Sequence, residues 1–239
     1  MSMNLLFVLF FQLAVPLPMA LDDPYAEGVR LIEEGKLPQA VVQLQLAVKQ
    51  SPAKAQPWKA LGVAYAMAGD YAAAELPFEK ACGLDKKLPD ACYFWARALY
   101  ALNKFEPAVR VLNKLEDSQT GRTFTALAQA LEALGKSEAA EKAFQKALTS
   151  KDSTGEARLR YGIFLFRSGR ISESGDMLEA SLKLLNRSSE AAAELGRVRY
   201  QQGNLAEAVR LLRMAVSWEP GRETAKLLLE KVVKLQGLK

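Results

Sequence analysis

Apolar side chains return along this chain every three or four residues, the spacing of one face of an α-helix. Between residues 58 and 81 the stripe falls into two runs. Trp58, Leu61, Gly62 and Tyr65 are spaced three, one and three apart, and Ala74, Phe78 and Ala81 four and three. A glycine, Gly69, separates them, so the pattern predicts two short amphipathic helices joined by a tight turn.

The same arrangement repeats. Gly35, Gly69, Gly135, Gly169, Gly203 and Gly237 lie on a lattice of 34 residues with one step of 32, and Asn103 fills the vacant place. Asparagine is the residue after glycine that best tolerates a left-handed helix end. Five residues past the first six marks stand Ala40, Ala74, Ala108, Ala140, Ser174 and Ala208, small enough to let two helices approach. Leu44, Phe78, Leu112, Phe144, Leu178 and Leu212 follow four residues later. First-helix stripes precede the marks, as with Cys92, Trp95, Ala96 and Leu99, or Phe124, Leu127, Ala128 and Leu131. Six hairpins are predicted, at about 21–54, 55–88, 89–120, 121–154, 155–188 and 189–222, with a closing helix over 223–236 whose lysines cap the last apolar face. Pro24 and Glu27 at core-facing places suit a frayed first unit. Pro77 should kink the second helix of its unit, Gly175 should weaken the fifth hairpin, and Arg199 stands at a large apolar place.

From Trp58 to Ala81 this chain resembles the tetratricopeptide repeat family, whose Trp-x2-Leu-Gly-x2-Tyr, Gly-Tyr, Ala, Phe and Ala pattern is nearly complete there, and Pro52 and Pro220 stand at the family's closing position. The resemblance implies an all-α fold, a right-handed α-α superhelix with first helices on the concave side. It also implies a non-catalytic scaffold that binds a partner peptide or helix in that groove. The rival reading is a structural or assembly subunit of an envelope, pilus or secretion complex that uses its edges or convex face. One subgroup of the family clamps a terminal carboxylate with Lys and Asn. Here the matching places hold Tyr25, Val29, Val63, Tyr93 and Arg97, so that specificity is not implied.

Composition narrows the chemistry. The chain has no histidine, which removes the commonest general base and the usual nucleophile pairs. Two cysteines are too few for a four-thiolate site, so neither a metal nor a cofactor is expected. An enzyme would need a paired-carboxylate cleft to which nothing in the sequence points. The net charge of +5 is spread among acidic residues, as on a solvated surface, which argues against a nucleic-acid partner.

Residues 1–20 differ from the rest. An uncharged apolar run from Leu5 to Val15 is followed by Pro16, Pro18 and the small Ala20, the pattern of a signal peptide cleaved before Leu21. Export to a periplasmic or extracellular space is therefore expected; if the leader is retained, it provides the membrane contact. Cys82 and Cys92 lie at the end of one predicted helix and the start of the next. They allow either a disulfide in an oxidising compartment or two small buried thiols, and both readings stand.

One step around each first helix from its core stripe lie the candidate groove residues: Tyr93, Arg97 and Tyr100 in unit three, Ile163, Phe166 and Arg167 in unit five, and Arg197, Tyr200 and Gln201 in unit six. Tyr100, Phe166 and Tyr200 share one place in the repeat and are expected to form a curved row broken by Glu132. Arginine and tyrosine concentrate binding energy at interfaces. With Glu132 alone expected to oppose the arginines, the partner segment is expected to be acidic or to end in a carboxylate.

Overall fold

The computed structural model describes residues 23–85, 88–115 and 120–237, and the apolar leader lies outside them. The described residues form thirteen α-helices and no strand. Twelve run as hairpins: α1 (Pro24–Glu33) with α2 (Leu37–Gln50), α3 (Ala55–Met67) with α4 (Tyr71–Leu84), and α5 (Pro89–Ala101) with α6 (Phe105–Asn113). Then come α7 (Gly121–Ala133) with α8 (Ser137–Thr149), α9 (Gly155–Arg167) with α10 (Ile171–Leu184), and α11 (Ser189–Gln201) with α12 (Leu205–Trp218). The thirteenth, α13 (Glu223–Gly237), packs on α12 and touches α11.

One turn closes every hairpin. The backbone N–H just past each mark donates to a carbonyl five residues back, as in Lys36 to Leu31 (2.9 Å), Lys104 to Leu99 (2.8 Å) and Asn204 to Arg199 (2.9 Å). That bond requires a left-handed residue at the mark. The glycines there have φ of 71° to 81°, and Asn103 takes the same role with φ 59°. Gly237 does not: it is the last residue of α13, so lattice spacing alone does not make a turn.

Packing follows from paired sizes. Ala40, Ala74, Ala108, Ala140, Ser174 and Ala208 are fully buried, and the large residues four places later are at most 2% exposed. In four hairpins the large side chain lies against a glycine of the first helix. A Cβ on Gly28 would stand 2.5 Å from Leu44, on Gly62 2.6 Å from Phe78, on Gly162 2.7 Å from Leu178 and on Gly196 2.9 Å from Leu212. The two exceptions carry Ala96 opposite Leu112 and Ala128 opposite Phe144, all buried. Where serine replaces alanine, its hydroxyl is satisfied: Ser174 donates to the carbonyl of Gly162 (2.7 Å) and Ser181 to that of Gly155 (2.8 Å).

Each first helix touches the first helix of the next unit, from α1 and α3 through to α11 and α13, while second helices approach one another less. The stack therefore bends toward the first helices, whose shared face is the inner one.

The irregular units have physical causes. α1 is helical from Pro24, not frayed: Asp23 caps it by accepting from the N–H of Tyr25 (3.0 Å), Pro24 sits where no N–H is needed, and Glu27 pairs with Arg30 (2.6 Å). α4 continues through the buried Pro77 without ending. Gly175 makes room: a Cβ there would meet the Arg199 guanidinium at 3.2 Å. Arg199 reaches Glu179 (3.1 Å) and Gln202 (2.9 Å), as Tyr65, at the same repeat place, accepts from Gln45 (2.8 Å). Unit three departs most, since α6 has nine residues against thirteen or fourteen in the other second helices. The sulfurs of Cys82 and Cys92 are bonded, with α-carbons 4.7 Å apart, and tie the end of α4 to the start of α5.

Candidate functional site

The inner face carries a polar cleft of about 200 Å³ built from four consecutive first helices. α5 contributes Tyr100, α7 Gln129 and Glu132, α9 Arg160, Ile163 and Arg167, and α11 Glu190, Glu194 and Arg197. Side chains at steps of three, four and seven share a helix face, and residues 30 to 35 apart meet because successive hairpins stack in register.

Four of the residues singled out in the sequence meet here: Tyr100, Ile163, Arg167 and Arg197. Arg97, on the same face of α5, donates to Gln129 at 3.4 Å. Phe166 is half-buried with the Arg197 guanidinium 6.0 Å from its ring centre, beside the cleft and not in its lining. The remaining three lie elsewhere. Tyr93 packs edge-on to Phe94 (5.6 Å) and carries the Arg122 guanidinium 4.2 Å from its ring. Tyr200 packs against the core shared with α13, with Lys231 5.2 Å over its ring. Gln201 is exposed at the end of α11. Tyr100, Phe166 and Tyr200 do not form a row of touching rings. Tyr100 packs on Phe105 (5.3 Å), across its own hairpin turn, and the other two take cations.

The electrostatics differ from the sequence expectation, because Glu132 is not the sole acidic group opposing the arginines. Arg167 pairs with Glu132 (3.0 Å), Arg197 with Glu194 (3.3 Å), and Arg160 bridges Glu156 (2.6 Å) and Glu190 (2.7 Å). The cleft is charge-balanced, and in two of its pairs the carboxylate is the less exposed partner: 23% for Glu132 and 18% for Glu194, against 68% for Arg167 and 45% for Arg197. Burial raises the pKa of Glu194, with Arg197 pulling it down less strongly. At Arg160 burial works against the charge, but Glu156 and Glu190 together outweigh it and raise the pKa. Sequence reading missed Arg160, Glu190 and Glu194 because it stopped one helical turn short on the same face.

It also passed over the other end of the inner face. Tyr25, Val29 and Ile32 of α1, with Lys59, Ala60 and Val63 of α3, form a shallow, mainly apolar groove of about 270 Å³. Val29 and Val63 hold the repeat place that Arg97 and Arg197 hold further along, so the inner face changes from apolar to charged along the stack.

Comparison with known proteins bears on the architecture. A family model described as tetratricopeptide repeat matches residues 25–89 and again 125–189, more than half of the chain. The chain belongs to the tetratricopeptide repeat family. A second tetratricopeptide repeat model matches residues 165–232, and one described as anaphase-promoting complex, cyclosome, subunit 3 matches 67–147. No curated protein sequence matches. Among solved structures, a chain of the Cut9–Hcn1 hetero-tetramer of the APC/C is similar with TM-score 0.74 and 16% identity over 89% of this repeat protein, which spans only 42% of that chain. Pseudomonas aeruginosa pilF has TM-score 0.69 and 17% identity, covering 88% of this chain and 96% of its own. YrrB, titled a TPR protein with an unusual peptide-binding site, has TM-score 0.53 and 19% identity over 78% of this chain and 97% of its own. At such identities the likeness is one of fold.

Proposed function

We propose that this tetratricopeptide repeat protein is a non-catalytic scaffold that holds a segment of a partner protein along its inner face. The observation that carries the reading is the cleft between α5 and α11, where exposed Arg167 and Arg197 line the same space as half-buried Tyr100 and Ile163, with the Phe166 ring beside Arg197. Those aromatics offer apolar contact area and the guanidinium groups planar, directional donors. The ion pairs sharpen the partner's chemistry. Arg167 and Arg197 each make one ion pair, to a half-buried carboxylate, and keep an exposed guanidinium within reach of a competitor. A partner carboxylate, in an acidic stretch or at a chain end, can therefore take either arginine over. Doing so strips Glu194 of its cation, so the fitting segment also brings a basic side chain close by. Its apolar end lies against Val29 and Val63.

Replacing both Arg97 and Arg197 by alanine is expected to weaken partner capture about tenfold or more while leaving the thermal midpoint essentially unchanged, because neither guanidinium is buried. Capture is scored by pull-down and quantitative mass spectrometry from the native source. Tyr200 is unsuitable for this test, since removing it opens the packing against α13.

A second reading, an assembly subunit docking through its outer face, is favoured by Val42, Leu46 and Leu76, exposed at 56%, 43% and 54% on α2 and α4. In that case Val42→Glu with Leu76→Glu abolishes capture and the arginine variant does not.

We further propose that the protein is exported and begins near Leu21 once residues 1–20 are removed. The bonded Cys82–Cys92 pair fits an oxidising compartment. Intact-mass measurement of protein recovered from its native compartment should show the mass of a chain starting at Leu21. A mass retaining Met1 together with recovery from the cytosol overturns the export reading.

A further inference from the structure

A second concavity, of about 500 Å³, opens where α6 ends early, between α5, α6 and the end of α4. It shares no residue with the inner-face cleft. Its walls are apolar: the sulfurs of the Cys82–Cys92 bridge, the Trp95 indole, Pro107, Val111 and Leu115. Its size falls within the ordinary range of small-ligand pockets. The cause is visible in the repeat. Unit three carries Cys92 where unit two has Trp58, and Trp95 where it has Leu61, and its second helix ends at Asn113 after nine residues.

The charged side chains at the mouth are of one sign. Arg110 and Lys114 both line it, both are exposed, and among the described residues no carboxylate does. Among the described residues neither has an ion-pair or hydrogen-bond partner, whereas Arg30, Arg122, Arg160, Arg170 and Arg210 are all engaged by carboxylates. Four residues apart, the two cations are neighbours that repel each other until an anion sits between them.

We propose that this cavity binds an aliphatic monocarboxylate, its hydrocarbon chain against Trp95, Val111 and the disulfide and its carboxylate between Arg110 and Lys114. The charge complement selects the acid over an uncharged chain of equal length, and the apolar walls select it over a small hydrophilic anion. The site stands independently of the inner-face reading.

Decanoate, below its micellar range, is the probe, titrated into the full chain carrying Trp58→Phe and Trp218→Phe so that Trp95 alone reports. A saturable change in Trp95 fluorescence is expected, with a matching isotherm by calorimetry on the unsubstituted protein. Decanol should bind about tenfold more weakly or worse, and so should decanoate to the Arg110→Glu/Lys114→Glu protein, whose circular dichroism should match the parent's. If charge reversal disturbs the fold, Arg110→Ala/Lys114→Ala replaces it, with loss of decanoate affinity again expected. The proposal is overturned if decanoate gives no saturable response, if decanol binds as tightly, or if a folded variant lacking both cations keeps the parent's affinity.

Discussion

Phe144→Ala is expected to lower the stability of the fold by about 3–5 kcal/mol, the usual range for emptying a buried aromatic site. The Phe144 ring is fully buried and lies 5.3 Å from the ring of Tyr161 and 5.4 Å from that of Phe164. It therefore fills the space within one hairpin and also between that hairpin and the next. Ala128, Ala140 and Ala143, in the same buried cluster, are too short to collapse into the void. Guanidinium denaturation followed by helical circular dichroism measures the loss. Because each unit of a solenoid leans only on its neighbours, hydrogen exchange should accelerate in α7 to α9 and leave α1 and α2 unchanged. A loss below about 1 kcal/mol, the typical effect of an average substitution, contradicts the packing described for units four and five.

Gly162→Leu should cost about 3 kcal/mol, at the upper end of overpacking effects, because a Cβ alone would already stand 2.7 Å from Leu178 Cγ and 3.4 Å from the Leu178 backbone nitrogen. The hairpin must open, and opening it stretches the bond from Ser174 to the Gly162 carbonyl. Gly62→Ala should behave differently despite a similar computed approach to Phe78. Unit four already places alanine, Ala128, opposite phenylalanine, Phe144, in a closed hairpin. The gain in helix propensity from Gly to Ala, about 1 kcal/mol, then offsets much of the strain, so the net change should stay within about 1 kcal/mol. Urea denaturation of the two variants side by side decides it. If Gly62→Ala is as damaging as Gly162→Leu, contact between the helices is less adjustable than the two alanine hairpins indicate.

The architecture was legible because each unit spells the same physics: a left-handed residue at the turn, a small residue five later, a large one four beyond that. Asn103 at φ 59° and the buried Ser174 show that the chemistry of a place, not the residue name, is what the pattern carries. The inner face was legible only in part. Steps of three and four correctly grouped Tyr100, Ile163, Arg167 and Arg197, but an arginine's partner lies one hairpin away, as Glu132 does for Arg167 and Glu190 for Arg160. Such pairing depends on how units stack, which periodicity within one helix does not encode. What each ring of the repeat place packs on was not legible either: Tyr100 lies on Phe105 across its hairpin turn, and Tyr200 lies toward α13. The concavity beside Trp95 had a trace in the sequence, the step of 32, but a missing turn shows its effect only once the neighbouring helices are in place.

That shortened α6 bears on how the array comes apart. A row of stacked units is as cooperative as its weakest junction, yet the shortened α6 meets α7 about as closely as α10 meets α11, and the loosest such contact is that of α8 with α9. The missing turn of α6 therefore opens a cavity without loosening the array at that junction. The Cys82–Cys92 bridge adds a covalent clasp beside that cavity, so unfolding that reaches units two and three still leaves the end of α4 held to the start of α5.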